Sequence, residues 1–255
     1  MKDRINWKLF RILLGAGILS FFAVLPYVLT MQAETLALLP ISIPVALLLS
    51  ALQTTFLLGV TIFLGLFLGR KVGLGAPLLL GWIEGRSIKN ELKQAYPLAI
   101  KLGVLAGVLI IGFDYLLSFF MEPIASVNAP IWQGLLASFY GGVVEEILLR
   151  LFLVTLIIWL IGKIFGNRSG NPSYISFWIS ILVAAIIFGL GHLPATSALT
   201  AITPLVVFRA VLLNGIGGVI FGWLYWKKGL ESAMMAHFTA DIILLVVFPV
   251  LLLLL

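Results

Sequence analysis

Glu145, Glu146 and Arg150 lie together in GGVVEEILLR, residues 141–150, within a stretch otherwise built mainly of Leu, Ile, Val and Phe. Ionisable side chains in such surroundings are costly and usually functional. A carboxylate there can take a proton from water, and an imidazole can carry a proton or bind a metal. The chain has only two histidines, and both fall in or at the end of comparable apolar stretches. His192 closes FGLGH, four residues after Phe188, and His237 opens HFTAD, four residues before Asp241. There is no cysteine, which excludes a disulfide, a thiolate metal site and a cysteine nucleophile.

Helical spacing separates the roles of these groups. Glu146 and Arg150 are four apart with the acid first, so they share a face and suit an ion pair. Glu145 is rotated about 100° from Glu146 by the 3.6-residue turn, which leaves it without that partner and free to act as a base. Gly141 and Gly142 each precede a glutamate by four residues and leave room beside the carboxylates. Phe188 can wall one side of the His192 imidazole. Asp241 can orient His237 as an acceptor or join it in binding an ion.

The ionisable groups within the predicted spans include Asp114, Glu145, Glu146, Arg150, Arg209 and Asp241. Unpaired, they would cost on the order of 15–20 kcal/mol, so they must face one another or water. Their sum is negative, which calls for protons on carboxyls, charged histidines or a divalent cation. Arg209 is expected to neutralise Asp241 or Asp114. Asp114 is either a structural partner or a group at the edge of a site.

The elements that must position these residues are membrane helices. Hydrophobic residues make up 62% of the 255 and charged residues only 10%, where a soluble domain is nearer half and a quarter. Several apolar runs exceed the roughly 18 residues needed to cross a bilayer as a helix. They are continuous rather than alternating, which argues against a β-barrel. The fold class is therefore an all-α, polytopic transmembrane bundle of about seven spans, with eight as the alternative. The spans lie near 10–30, 42–69, 96–120, 132–162, 175–193, 203–226 and 230–253. Residues 1–94 form an N-terminal unit with an interfacial loop, and 95–255 a helical core.

Basic residues cluster before the first span (Lys2, Arg4, Lys8, Arg11), between the second and third (Arg70, Lys71, Arg86, Lys89, Lys93), and at Lys163, Arg168, Lys227 and Lys228. The intervening connections carry only Glu34, Glu122 and then no charge. Positive connections stay cytoplasmic, which puts the N-terminus inside. The net charge of +6 is thus a matter of orientation in a multi-pass membrane protein, not of nucleic acid. The first apolar run is expected to be retained as a helix rather than cleaved as a signal. The segment 73–86 is too short to span and reads as an inner interfacial piece or a plain loop. Trp223, Tyr225 and Trp226 read as an interfacial belt. Gly65 with Gly69, and Gly218 with Gly222, are spaced for close helix approach.

The order E-E-x-x-x-R, F-x-x-x-H, H-x-x-x-N/D on separate membrane helices resembles the CPBP intramembrane proteases, a family that includes CAAX prenyl endopeptidases and Abi bacteriocin-immunity proteins. Here it reads EEILLR, FGLGH and HFTAD, within about 130–250. The resemblance implies peptide hydrolysis. Glu145 would activate water, His192 would help to hold it, and His237 with Asp241 would bind a metal or stabilise the oxyanion. Glu146 and Arg150 would neighbour the base. Phe188 and Arg209 would support the site.

The family's last motif often ends in Asn. An ionised Asp241 can only accept hydrogen bonds, which suits ion binding or orientation of His237. A divalent metal, zinc being the candidate, would then sit among Glu145, His192, His237 and Asp241; a glutamate-dependent mechanism would need none. The expected substrate is a peptide or protein that is membrane-associated, prenylation being one family option, cut near the cytoplasmic surface of a bacterial plasma membrane. The rivals are a non-catalytic scaffold or immunity protein and an ion or proton carrier. One tension stands. Straight spans put His192 near the outer end of its helix and His237 about 10 Å from the inner end of its own. A break at Gly189, Gly191 or Pro194 would let them meet.

Overall fold

The computed structural model describes residues 5–122, 129–165 and 172–254; Lys2, Arg4 and Arg168 of the basic clusters lie outside them. The described chain is helical without strands, and seven of its helices are long and apolar enough to cross a membrane. They are α1 (Trp7–Met31), α2 (Ile43–Val72), α4 (Lys89–Ser118), α5 (Ile131–Phe165), α6 (Tyr174–Gly191), α7 (Pro204–Lys228) and α8 (Leu230–Leu254). A further helix, α3 (Pro77–Ile83), is a short piece between α2 and α4 and cannot span.

Local chemistry sets the helix ends. The Asn6 side chain accepts from the backbone N–H groups of Lys8 and Leu9, at 3.1 and 3.0 Å, and so starts α1. Ser173 does the same for α6 through Ser176, and Thr203 with Pro204 begins α7. Gly73, at φ 74°, closes α2 in the left-handed conformation that a side chain disfavours. Gly229, at φ 93°, is the single residue between α7 and α8. At the other end of α6 the helix breaks at His192 and resumes as the short turn Leu193–Thr196, the interruption expected of the glycine and proline there.

Small residues let the helices close on one another. A Cβ on Gly218 would lie 2.6 Å from Cβ of Ala185, and one on Gly222 would lie 2.8 Å from Ile181, so α7 and α6 pack nearly backbone to backbone. Gly65 brings α2 onto α5 at the carbonyl of Leu151. Gly69 departs from the expectation: it makes room for the carbonyl of Leu74 in its own turn rather than for another helix. The core between these helices includes Leu58, Ile62, Val144, Ile147, Leu151, Leu224 and Leu230, each wholly buried.

Two aromatic expectations change. Tyr225 does not belong to an interfacial belt. It is 1% exposed, and its hydroxyl lies 2.7 Å from that of Thr155. Trp226 does stand beside the basic pair, with Lys227 over its ring at 3.4 Å. The segment 73–86 contains α3, which is fastened to α8 because the Glu231 carboxylate accepts from the N–H of Leu79 at 2.7 Å. Leu78 is buried under it, while Trp82 points outward.

Candidate active site

Helix α5 is not a uniform α-helix. From Tyr140 to Glu145 and from Ile147 to Val154 its backbone closes i→i+5 hydrogen bonds, as a π-helix. Such widened turns are rare and frequent at functional sites. Both glutamates of this helix face one imidazole, that of His237. Glu146 Oε1 lies 2.7 Å from His237 Nδ1, and Glu145 Oε2 lies 3.6 Å from His237 Nε2.

Glu146 is the innermost member. It is 0% exposed, and the same oxygen lies 2.7 Å from Nη1 of Arg150, the ion pair expected from their spacing. The Arg150 guanidinium is held between the rings of Phe188 and Phe221, 5.3 and 5.4 Å from their centroids, and Nη2 donates to the carbonyl of Gly218 at 3.3 Å. Aromatic faces and a carbonyl thus share the burial of its charge. Glu145 is different, with 23% of its side chain accessible and its carboxyl facing a cavity of about 740 Å³.

His237 is set by its neighbours. A carboxylate can only accept, so Nδ1 carries the proton toward Glu146 and Nε2 turns to the cavity. Asp241 Oδ1 stands 3.8 Å from that Nε2. The orienting acceptor is therefore Glu146, across the helix interface, and not Asp241 one turn along α8. The Phe221 ring stacks on the imidazole at 4.7 Å, and Phe188 meets it edge-on at 5.8 Å.

His192, at the broken end of α6, lines the same cavity, and Phe188 touches its ring at 4.8 Å as the four-residue spacing implies. Its Nδ1 donates to the Phe188 carbonyl at 2.9 Å, which leaves Nε2 as the acceptor of a neutral ring. The depth tension is thereby resolved. One aromatic ring spaces the two imidazoles, and both border one space.

Gly141 gives no empty room beside Glu145, because α8 fills it. A Cβ there would fall on Oδ2 of Asp241 and lie 3.1 Å from His237 Nε2. Gly141→Ala is therefore expected to displace both groups, with a fall in cleavage rate of about 10²-fold, as misplacements near 1 Å produce. Thermal unfolding should shift far less than the rate. Equal losses in both would mean that the glycine serves packing alone.

Arg209 and Asp114 pair with each other at 2.6 Å, part-exposed, and neither lines the cavity. Arg209 thus neutralises a carboxylate, but Asp114 rather than Asp241, and the pair that best favoured an ion carrier is closed on itself. Tyr140 and Asn214 border the cavity and escaped the sequence reading. Tyr140 lies five residues before Glu145, a spacing that shares a face only where the helix is π. Asn214 was detectable as a polar side chain in a span.

Glu145, His192, His237 and Asp241 border one cavity. Among the described residues, however, no group of three or more His, Asp or Glu side chains could hold a metal ion. Both Nδ1 atoms are engaged by protein acceptors, which leaves both Nε2 atoms without a short protein hydrogen bond.

Residues 127–243, which contain all three motifs, match the model of a family described as Type II CAAX prenyl endopeptidase Rce1-like. No curated protein matches the chain, and no solved structure does.

Proposed function

The chain belongs, through residues 127–243, to the CPBP family of intramembrane proteases, and on that premise we propose that it hydrolyses a peptide bond with Glu145 as the base. The family supports a peptidase embedded in the membrane and acting on a membrane-associated peptide. The observation that carries the finer reading is the meeting of an accessible Glu145 carboxylate with the free nitrogen of an oriented His237 in one cavity.

In this mechanism Glu145 takes a proton from a water whose other hydrogen is directed to Nε2 of His192. The water oxygen attacks the scissile carbonyl carbon. His237, anchored through Nδ1 by Glu146, carries a proton on Nε2 and donates it as a hydrogen bond to the developing oxyanion. Asp241 Oδ1 stands 3.8 Å from the same nitrogen, too far to accept from it, so the proton is left to the oxyanion. As the C–N bond breaks, Glu145 returns its proton to the leaving amine, and the products are an amine and a carboxylic acid that then releases its remaining proton to solvent. Glu146, Arg150, Phe188 and Phe221 position His237. Arg209 takes no part.

No step runs through a metal, since the donors do not assemble for one. The test is cleavage of a membrane-anchored reporter peptide library by the purified protein in detergent, with and without a strong chelator. Cleavage that persists with chelator supports the reading. Loss on chelation, restored by zinc alone, would replace it with a metal-dependent route, and no cleavage of any peptide would leave the scaffold or immunity role in its place.

A further inference from the structure

The catalytic cavity opens on the wrong side for a cytoplasmic substrate. The connections at one face of the bundle, around 70–93 and at 227–229, carry Lys and Arg, while those described at the other face, 32–42, 119–122 and 192–203, carry neither. The cavity that holds Glu145 and His237 is walled by Gln32, Leu36 and Leu39 of the first of these uncharged-or-acidic connections and by Thr196 and Leu199 of the last. A separate cavity of about 510 Å³, lined by Arg86, Glu91 and Lys228, lies at the basic face and shares no lining residue with it.

Helix α7 passes from one space to the other. Phe221 walls the first, Tyr225 walls the second, and Leu224 between them is wholly buried. The Tyr225 hydroxyl is tied to Thr155, and Arg150 fills the layer beside Phe221. Side chains without accessible surface therefore seal the catalytic residues from the basic face. Basic connections stay cytoplasmic.

We propose that the catalytic cavity is entered from the non-cytoplasmic side, and that it takes an apolar peptide segment without a negative charge, presented at that face. The expected cut near the cytoplasmic surface gives way to this. The chemistry of the walls agrees. No Lys or Arg lines the cavity, its charged groups are Glu145 and Asp241 with the two histidines, and most of the remaining wall is apolar. An anionic segment, a free C-terminal carboxylate included, would meet no Lys or Arg there and would face the carboxylates of Glu145 and Asp241. The inference rests on the proposed hydrolase for the cavity's role, but the side of entry can be read without any catalysis.

The chain has no native cysteine, so single cysteines report without background. Asn214→Cys lies in the catalytic cavity, Thr196→Cys near its mouth, and Gln94→Cys in the cavity at the basic face. Each is exposed to a small cationic, membrane-impermeant methanethiosulfonate in right-side-out and in inverted membrane vesicles. The expected result is reaction of Asn214→Cys and Thr196→Cys from the right-side-out face only, and of Gln94→Cys from the inverted face only. Reaction of Asn214→Cys from the Gln94 face, or of both cavity cysteines from neither face, overturns the proposal. Peptide cleavage by the detergent-solubilised protein, which has no sides, reports on the hydrolase separately, so the two readings fail independently.

Discussion

Glu145→Gln is expected to lower kcat by about 10²–10⁴-fold, the usual contribution of a positioned acid–base group, while leaving the fold intact. The two halves of that expectation come from one feature, the partial exposure of a carboxyl that makes no short ion pair. Its nearest basic atom is His237 Nε2 at 3.6 Å, beyond hydrogen-bond reach, so an amide of the same shape leaves no buried cation behind. The amide cannot accept the proton of the attacking water as a carboxylate does. KM should change little, because Glu145 contacts the water rather than the length of the peptide. Single-turnover cleavage with thermal unfolding of the same sample checks both halves. Unfolding of the variant would mean that Glu145 is structural after all.

Glu146→Gln should do nearly the opposite, although the two residues are neighbours. Glu146 has no accessible surface and meets both Arg150 and His237 at 2.7 Å. Neutralising it strands a guanidinium that is itself 2% exposed, and removing one member of such a buried pair costs about 3–5 kcal/mol. The variant is therefore expected to unfold at markedly lower temperature or to fail to accumulate. Removing both charges together, as Glu146→Gln with Arg150→Met, should recover most of that loss, since an apolar replacement of a buried pair is often neutral. The recovered protein should still cleave slowly, because an amide oxygen can orient His237 but stabilises its positive charge less well. Full recovery of cleavage in the double variant would show that Glu146 contributes to folding and nothing more.

The contrast between the glutamates was only half legible in the sequence. Their identity, the ion pair with Arg150 and the wall of Phe188 against His192 followed from four-residue spacing and from the cost of charge in lipid, whereas straight spans would have held the two histidines apart. The direction of Glu146 toward His237 did not follow. It needs the packing of α8 against α5, and no residue pattern in GGVVEEILLR announces the i→i+5 turns through Tyr140–Glu145 either. Asp241 was misplaced as the orienting group for the same reason. Spacing along α8 put it beside His237, while the stronger acceptor came from another helix.

The membrane architecture was more readable than the site. Apolar length pointed to the seven spans that the helices show. Glycine pairs gave the close packing of α6 and α7, but not the fate of Gly69, whose neighbour is the carbonyl of its own turn. Tyr225 was read as a belt residue because it stands next to Trp226 and Lys227. Its place on the inward face of α7, with Thr155 to receive its hydroxyl, needs the packing of α5 against α7. The make-up of the cavity was out of reach too, since residues from widely separated stretches build its wall.

The central claim is that Glu145 activates a water in that cavity for attack on a peptide carbonyl. Cleavage in water enriched with heavy oxygen, followed by mass spectrometry of the new carboxyl terminus, tests it most directly. The account predicts one heavy oxygen in the product carboxylate of the wild-type protein, and no product above background from folded Glu145→Gln. Undiminished heavy-oxygen product from that variant would contradict it.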